Sequence, residues 1–247
     1  VESKSINPRG QLTESEYTTK PRIDMFFKLF NLEVPDLVRF KYFVTTEEEK
    51  VAKDICKSFD KNKKTIGIVL NSISPVRTYT IKGTLNVINS LKDNYNIVVL
   101  GTATRCWDHR PFTTKYLEFI EKNPQVLDVV GRTNLRKAIS IINSVDLLIT
   151  PDSGFLHVAH ALRKPCIALF GNINPITRCS YYDLTKVLWS KPDCICFDRG
   201  VFMNNCKYKK DIENQDIERI GAECMEAISS DSIIEMSIEI LEGGTNG

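Results

Sequence analysis

Pro151-Asp152-Ser153-Gly154, with His157 following after two intervening residues, is the stretch of this chain best equipped for chemistry. An apolar run from Asp146 to Thr150 leads into it, and the four turn formers end that strand and cap a helix. Apolar positions from Phe155 to Leu162 suit a short buried helix, and Cys166 to Phe170 reads as another strand, so the segment predicts a βαβ unit of a parallel sheet. A helix start carries unpaired N–H groups and partial positive charge, which makes the Asp152-Ser153-Gly154 turn a place for a phosphate. Gly154 lets a ligand approach the backbone, and His157, one turn into the helix, could donate to a phosphate or ribose oxygen. The plainer reading of the same residues is that Asp152 or Ser153 only caps the helix and His157 is half-buried packing.

A second donor set follows the first expected strand, Thr65 to Leu70, and precedes a helix expected from Gly83 to Leu91. Its loop holds Thr78, Thr80 and Lys82, two hydroxyls and an ammonium suited to a diphosphate. A solvated surface lysine is the alternative for Lys82. Near the end, Cys194, Cys196, Cys206 and Cys224 gather in about thirty residues, enough for a tetrahedral zinc or iron site that staples a small lobe. Four sulfur ligands leave no open position, so such a metal is structural and no catalytic metal is expected. The C-x-C spacing leaves unliganded thiols as the other reading. Cys56, Cys106, Cys166 and Cys179 sit singly and read as buried thiols. His109, His160 and Asp108 are paired with nothing by spacing and read as surface or packing residues. Arg132 and Arg136 lie near the expected mouth, where a solvated face explains them equally well.

The elements that must position these residues alternate. Strands are expected at Thr65–Leu70, Asn96–Leu100, Val126–Val130, Asp146–Thr150 and Cys166–Phe170. Helices are expected between them at Gly83–Leu91, Lys115–Lys122, Leu135–Ser144 and Phe155–Leu162. That pattern is α/β, a doubly wound Rossmann-like parallel sheet over 63–190, whose ligand belongs at the carboxyl ends of the strands. Residues 1–62 read as a linker and helical bridge. Residues 1–23 are polar, helices are expected over Asp24–Leu32 and Thr45–Ser58, and the second has Thr45 or Thr46 as cap and glutamates in its first turn. Residues 191–247 read as a cysteine-containing lobe and a last helix, Ser232–Leu241, capped by Ser229 or Ser230 with Asp231.

The 247 residues, 42% hydrophobic and 26% charged, suit a soluble globular chain with ample core. A net charge of +2 gives a nucleic-acid role no support. No apolar run reaches the length of a membrane span, and the first thirty residues or so lack the apolar centre of a signal peptide. Eight cysteines without an export signal therefore point to a reducing, cytoplasmic setting. G-x-G-x-x-G does not follow Leu70, which argues against a dinucleotide. The chain opens on Val1 rather than Met, so residues upstream are expected.

Asp152-Ser153-Gly154, His157, a small apolar helix, Lys164-Pro165, an apolar strand and Phe170-Gly171 before Pro175 together resemble the signature of glycosyltransferase family 9, the ADP-heptose:lipopolysaccharide heptosyltransferases. The loop of Thr78, Thr80 and Lys82 looks like that family's donor loop. Family members, however, commonly carry an aromatic soon after the lysine, where this chain has Gly83-Thr84. The cysteine tail is similar to that of many members, including the autotransporter heptosyltransferases, in which such a cluster holds iron. The resemblance implies the C-terminal, donor-binding half of a GT-B fold. It implies a nucleoside-diphosphate sugar donor, ADP-heptose foremost, and transfer to lipopolysaccharide core or a protein hydroxyl by metal-independent inversion. The general base would be an aspartate of a missing N-terminal domain, so no catalytic residue is assigned here, and an oligomer is compatible with the family. A non-catalytic nucleotide-sugar-binding or assembly module is the alternative function, and an unrelated Rossmann protein a third.

Overall fold

Each apolar run expected to be a strand forms one, with bounds within two residues of the expectation, and a sixth strand lies beside them. The computed structural model describes residues 19–36, 38–72, 77–102, 114–191 and 223–243. The strands are β1 (Thr65–Val69), β2 (Asn96–Leu100), β3 (Val126–Asp128), β4 (Leu147–Pro151), β5 (Cys166–Phe170) and β6 (Thr185–Trp189). They form one sheet in the order β3-β2-β1-β4-β5-β6, and every neighbouring pair is parallel. In register, Ile68 of β1 stands opposite Val99 of β2 and Ile149 of β4. β6 is half-buried at the sheet's edge, paired with β5 through Leu169 and Leu188.

Helices cover both faces, so the inner strands read as unbroken apolar runs rather than alternating ones. The helices before and between the strands are α1 (Arg22–Leu29), α2 (Thr46–Ile55), α3 (Ile81–Leu91), α4 (Thr114–Lys122), α5 (Leu135–Ser144) and α6 (Gly154–Ala161). They are followed by α7 (Ile176–Cys179), α8 (Glu223–Glu226) and α9 (Ser230–Glu242). Side chains alternate across the sheet. Ile66, Ile68, Ile97, Val99, Leu147, Ile149, Ile167 and Leu169 face a core shared with Ile81, Ile88 and Leu91 of α3 and Ile233 and Leu241 of α9. Val69, Val98, Leu100, Leu148, Ala168 and Phe170 face the other core, shared with Ala52 of α2, Ile141 and Ile142 of α5, and Leu156 and Ala159 of α6.

Local chemistry fixes where the helices begin. The Glu48 N–H donates to Thr45 Oγ1 at 3.2 Å while the Thr45 N–H donates to Glu48 Oε2 at 2.9 Å, a capping box at the head of α2. Arg136 of α5 pairs with Glu48 at 2.8 Å, so this arginine ties the bridging helix to the sheet domain. Ser229 caps α9 by accepting from the Asp231 N–H at 3.1 Å. The Tyr79 hydroxyl donates to the Ile228 carbonyl at 2.9 Å, which draws the start of α9 against α3. Gly83 makes that fit possible, because a Cβ there would fall 2.5 Å from the Tyr79 ring and hydroxyl.

Candidate functional site

The strand order reverses direction between β1 and β4, and in open α/β sheets that crevice is where ligands bind. Asn71 and Ser72 leave β1 into it, and Asp152 leaves β4; all three are buried. The Ser72 hydroxyl donates to the Asp152 carbonyl at 3.0 Å. Two cations meet the Asp152 side chain. Arg77 Nη1 donates to Asp152 Oδ2 at 3.1 Å and to its carbonyl at 3.2 Å, and Arg178 Nε, from α7, lies 3.5 Å from the same Oδ2. The Nε of each arginine is buried without a hydrogen-bond partner. Two guanidinium groups around one carboxylate leave net positive charge, in a cavity of about 240 Å³ lined by Ser72, Arg77, Asp152, Ser153, Gly154, His157 and Arg178.

The start of α6 forms one wall of that cavity. Ser153 Oγ accepts from the Phe155 N–H at 3.3 Å and lies 3.0 Å from Thr150 Oγ1. A Cβ built on Gly154 meets no atom within 4 Å, so the missing side chain enlarges the cavity rather than relieving a clash. A helix start with open backbone at Gly154 and two arginines lining the same cavity is suited to an anion. Ser72, Ser153 and Gly154 also line a second cavity of about 460 Å³, whose further walls are mainly apolar and include Leu135, Ile139, Phe155 and Val158. His157 and Arg178 also line a third, of about 640 Å³, whose walls include Phe26, Phe40, Tyr42 and Tyr182.

His157 Nδ1 lies 2.5 Å from the Tyr182 hydroxyl, and the buried ring of His160 stacks on Tyr182 at 4.0 Å and 7°. Burial holds the pKa of both histidines below 6.5; for His157 the Asp152 charge opposes the shift and Arg178 adds to it. His157 is open to the cavity, whereas His160 is 3% exposed, so His160 carries most of the consequence. A histidine with a lowered folded pKa binds fewer protons folded than unfolded. Stability therefore falls as pH drops from about 6.5 through the folded pKa values, and is regained above it. Urea unfolding between pH 5 and 8 checks this, and a flat profile from 5 to 7 would contradict it.

Of the residues singled out in the sequence, Asp152, Ser153, Gly154 and His157 stand together at the cavity. The other three do not join them. Lys82 is exposed in the first turn of α3 and lines none of these cavities. Thr80 uses its hydroxyl to cap α3, accepting from the Gly83 N–H at 3.1 Å. Thr78 is fully buried, its hydroxyl 3.2 Å from the Ser72 nitrogen that donates to it. Thr78, one residue on from Arg77, thereby ties that segment to Ser72. Tyr79, two residues after Arg77, packs on Gly83. Arg132, 73% exposed, lies 3.8 Å from Asp128. His109, Asp108, Cys106, Cys194, Cys196 and Cys206 lie outside the described residues. Cys224, in α8, is half-buried, with its sulfur 2.7 Å from where a Cβ on Gly171 would stand. Among the described residues no three potential metal ligands converge, and no helix is long and apolar enough to cross a membrane. Arg77, Arg178 and Tyr182 were not anticipated; the one signal for Arg178 is its place at the end of the βαβ stretch.

Sheet order and switch-point site define a Rossmann-like α/β protein. Residues 15–207 match the description of glycosyltransferase family 9 (heptosyltransferase), and the chain belongs to that family. It is 27% identical over 135 residues to the lipopolysaccharide core heptosyltransferase OpsX of Haemophilus influenzae, covering 52% of this chain and 36% of that one. The solved Escherichia coli ADP-heptose lipopolysaccharide heptosyltransferase II superposes with a TM-score of 0.66 at 17% identity, covering 93% of this chain and 65% of that one. The dodecameric iron-containing heptosyltransferase TibC of E. coli, solved with ADP-D-β-D-heptose, gives a TM-score of 0.52 at 18% identity over 77% of this chain and 48% of that one. The chain thus spans less than two thirds of the length of each.

Proposed function

We propose that the chain binds a nucleoside-diphosphate sugar at the β1–β4 switch point and is the donor-binding half of a GT-B glycosyltransferase. The observation that carries this is the convergence of Arg77 and Arg178 on buried Asp152 beside the start of α6. The diphosphate would take the positive side of that cluster and the amides of α6, Gly154 giving it room. The nucleoside would enter the 460 Å³ cavity and the sugar would lie toward His157. ADP-heptose is the donor we assign, since heptosyltransferase II and TibC are named with it, and lipopolysaccharide core or a protein hydroxyl is the acceptor.

In the transfer, the acceptor oxygen bonds to the anomeric carbon as the bond from that carbon to the diphosphate breaks. The hydroxyl proton passes to a base and the nucleoside diphosphate leaves as an anion. Preorganised arginines and helix amides stabilise the charge that builds on it. Inversion follows from a single displacement. Asp152 is held by two arginines and is unsuited to be the base, which we assign to a further N-terminal domain. Exposed Phe30, Leu32 and Phe43 offer that domain, or an oligomeric partner, apolar contact. Residues 63–190 form the donor domain in this reading, 1–62 the bridge and 191–247 the tail, in a cytoplasmic setting.

Calorimetric titration with ADP, ADP-heptose, UDP-sugars and GDP-sugars tests the proposal; saturable ADP binding is expected, and its absence for every nucleotide overturns it. The locked state of Asp152 also favours the narrower reading of a module that binds without turnover. The purified chain is therefore expected to bind ADP-heptose and transfer nothing, and transfer to an acceptor would refute this. For the tail we propose one structural zinc or iron on Cys194, Cys196, Cys206 and Cys224. Elemental analysis should find near one metal per chain, and under about a tenth of an equivalent would mean ordinary thiols.

A further inference from the structure

We propose that Tyr182 is a positioning residue for the anion cavity: its hydroxyl donates to His157 Nδ1 and so leaves Nε2 carrying the proton as a neutral donor toward the bound anion. The inference rests on the reading of that cavity as a diphosphate site. Nothing in the sequence marked Tyr182, which lies 25 residues from His157.

The phenol is placed with little freedom. It is 5% exposed, its ring lies flat on His160 at 4.0 Å, and it meets the rings of Phe40 and His157 edge-on at 6.5 and 5.7 Å. Its backbone is tied at both groups, its N–H to the Cys179 carbonyl at 2.9 Å and its carbonyl accepting from Thr185 at 3.1 Å. The hydroxyl oxygen then sits 2.5 Å from His157 Nδ1. Only two arrangements of one proton pair satisfy that contact with a neutral imidazole. If Nδ1–H donates to the phenol, Nε2 offers a lone pair to the cavity, which repels an anion. If the phenol donates, Nε2–H offers a donor. An unprotonated imidazole nitrogen accepts better than a phenol oxygen, and a phenol O–H donates better than a neutral imidazole N–H, which favours the second arrangement. Burial, with Cys179 and Asp152 adding, raises the Tyr182 pKa, so the phenol holds its proton in both. Asp152 and Arg178 act on the His157 ring in opposite directions, and neither supplies what the hydroxyl does at Nδ1. The remaining polar side chains of the wall, Ser72, Ser153 and Arg77, do not share this dependence on a tautomer.

The test is nitrogen NMR of the imidazoles in the whole chain, with ADP titrated in parallel into wild type, Tyr182→Phe, His157→Gln and the double variant. Tyr182→Phe keeps the stack on His160. Wild type should show the Nε2–H tautomer. Tyr182→Phe should give a mixture of tautomers and weaken ADP binding roughly three- to tenfold, the range of one ordinary hydrogen bond. In the His157→Gln background, where the amide donor cannot tautomerise, Tyr182→Phe should change ADP affinity less than twofold. An unchanged tautomer in Tyr182→Phe overturns the proposal. So does a changed tautomer with unchanged ADP affinity while Arg77→Ala still weakens binding. If wild type binds no ADP at all, the diphosphate reading fails, and a Tyr182-dependent tautomer still upholds the placement of the ring.

Discussion

Arg77→Ala weakens ADP binding by about 1.5–3 kcal/mol, the range for a hydrogen bond to a charged group, while Lys82→Ala changes it by less than about 0.5 kcal/mol. The two residues lie five positions apart, and the sequence alone favours the lysine. Geometry reverses that order. Arg77 lines the polar cavity with its side chain 16% exposed and its Nε buried without a partner. Lys82 stands on the outer face of α3. A guanidinium held by Asp152 on one edge can present its other donors to phosphate without first being ordered, which lowers the entropic cost of binding. Arg77→Lys should therefore recover only part of the loss, because an ammonium keeps the charge and loses the fork. Isothermal titration at two salt concentrations measures all three. Equal losses at Lys82 and Arg77 would return the phosphate to the head of α3, and no loss at Arg77 would remove it from the switch point.

That contrast shows how far the sequence reads and where it stops. The inner strands were legible because a parallel sheet covered on both faces demands continuous apolar runs, and Asn96–Leu100 and Cys166–Phe170 are such runs to the residue. β6 was missed for the converse reason: Thr185–Trp189 is a half-covered edge with exposed Lys186, so its apolar signal is weak. α7 spans four residues, too few for periodicity to register, yet it carries Arg178. The turn at Asp152 was legible as an anion site because its chemistry is local. Arg77 was not, because its role depends on a contact 75 residues away in sequence. Lys82 could have been placed correctly. Starting α3 at Ile81 rather than Gly83 puts Lys82, Asn86 and Asn89 on one exposed stripe and Ile81, Thr84 and Ile88 on the buried one.

Asp152→Asn costs about 2–3 kcal/mol of folding stability at pH 7, and ADP returns part of it. Asp152 is 3% exposed, and the side chains of Arg77 and Arg178 are 16% and 15% exposed, so the cluster is largely out of water. Removing one member of a buried ion pair typically costs about 3–5 kcal/mol because the remaining charge is left uncompensated; the partial exposure of both arginines places this case lower. Asparagine keeps the shape and an acceptor oxygen, so the loss reports charge rather than a cavity. The backbone carbonyl of residue 152 still accepts from Ser72 and Arg77, which holds the loop in place. Without the carboxylate the two guanidinium groups repel one another, and a diphosphate in the cavity is the nearest replacement counter-charge. Saturating ligand stabilises any folded state by about 2.7 kcal/mol at one hundred times its dissociation constant, and the gain is larger where binding is tighter. The gap between Asp152→Asn and wild type in urea unfolding should therefore narrow by at least about 1 kcal/mol when ADP is added at a fixed high concentration. A variant as stable as wild type without ADP would show that the carboxylate is not the counter-ion of the arginines, and a gap that widens with ADP would place the phosphates on the side of Asp152 rather than opposite it.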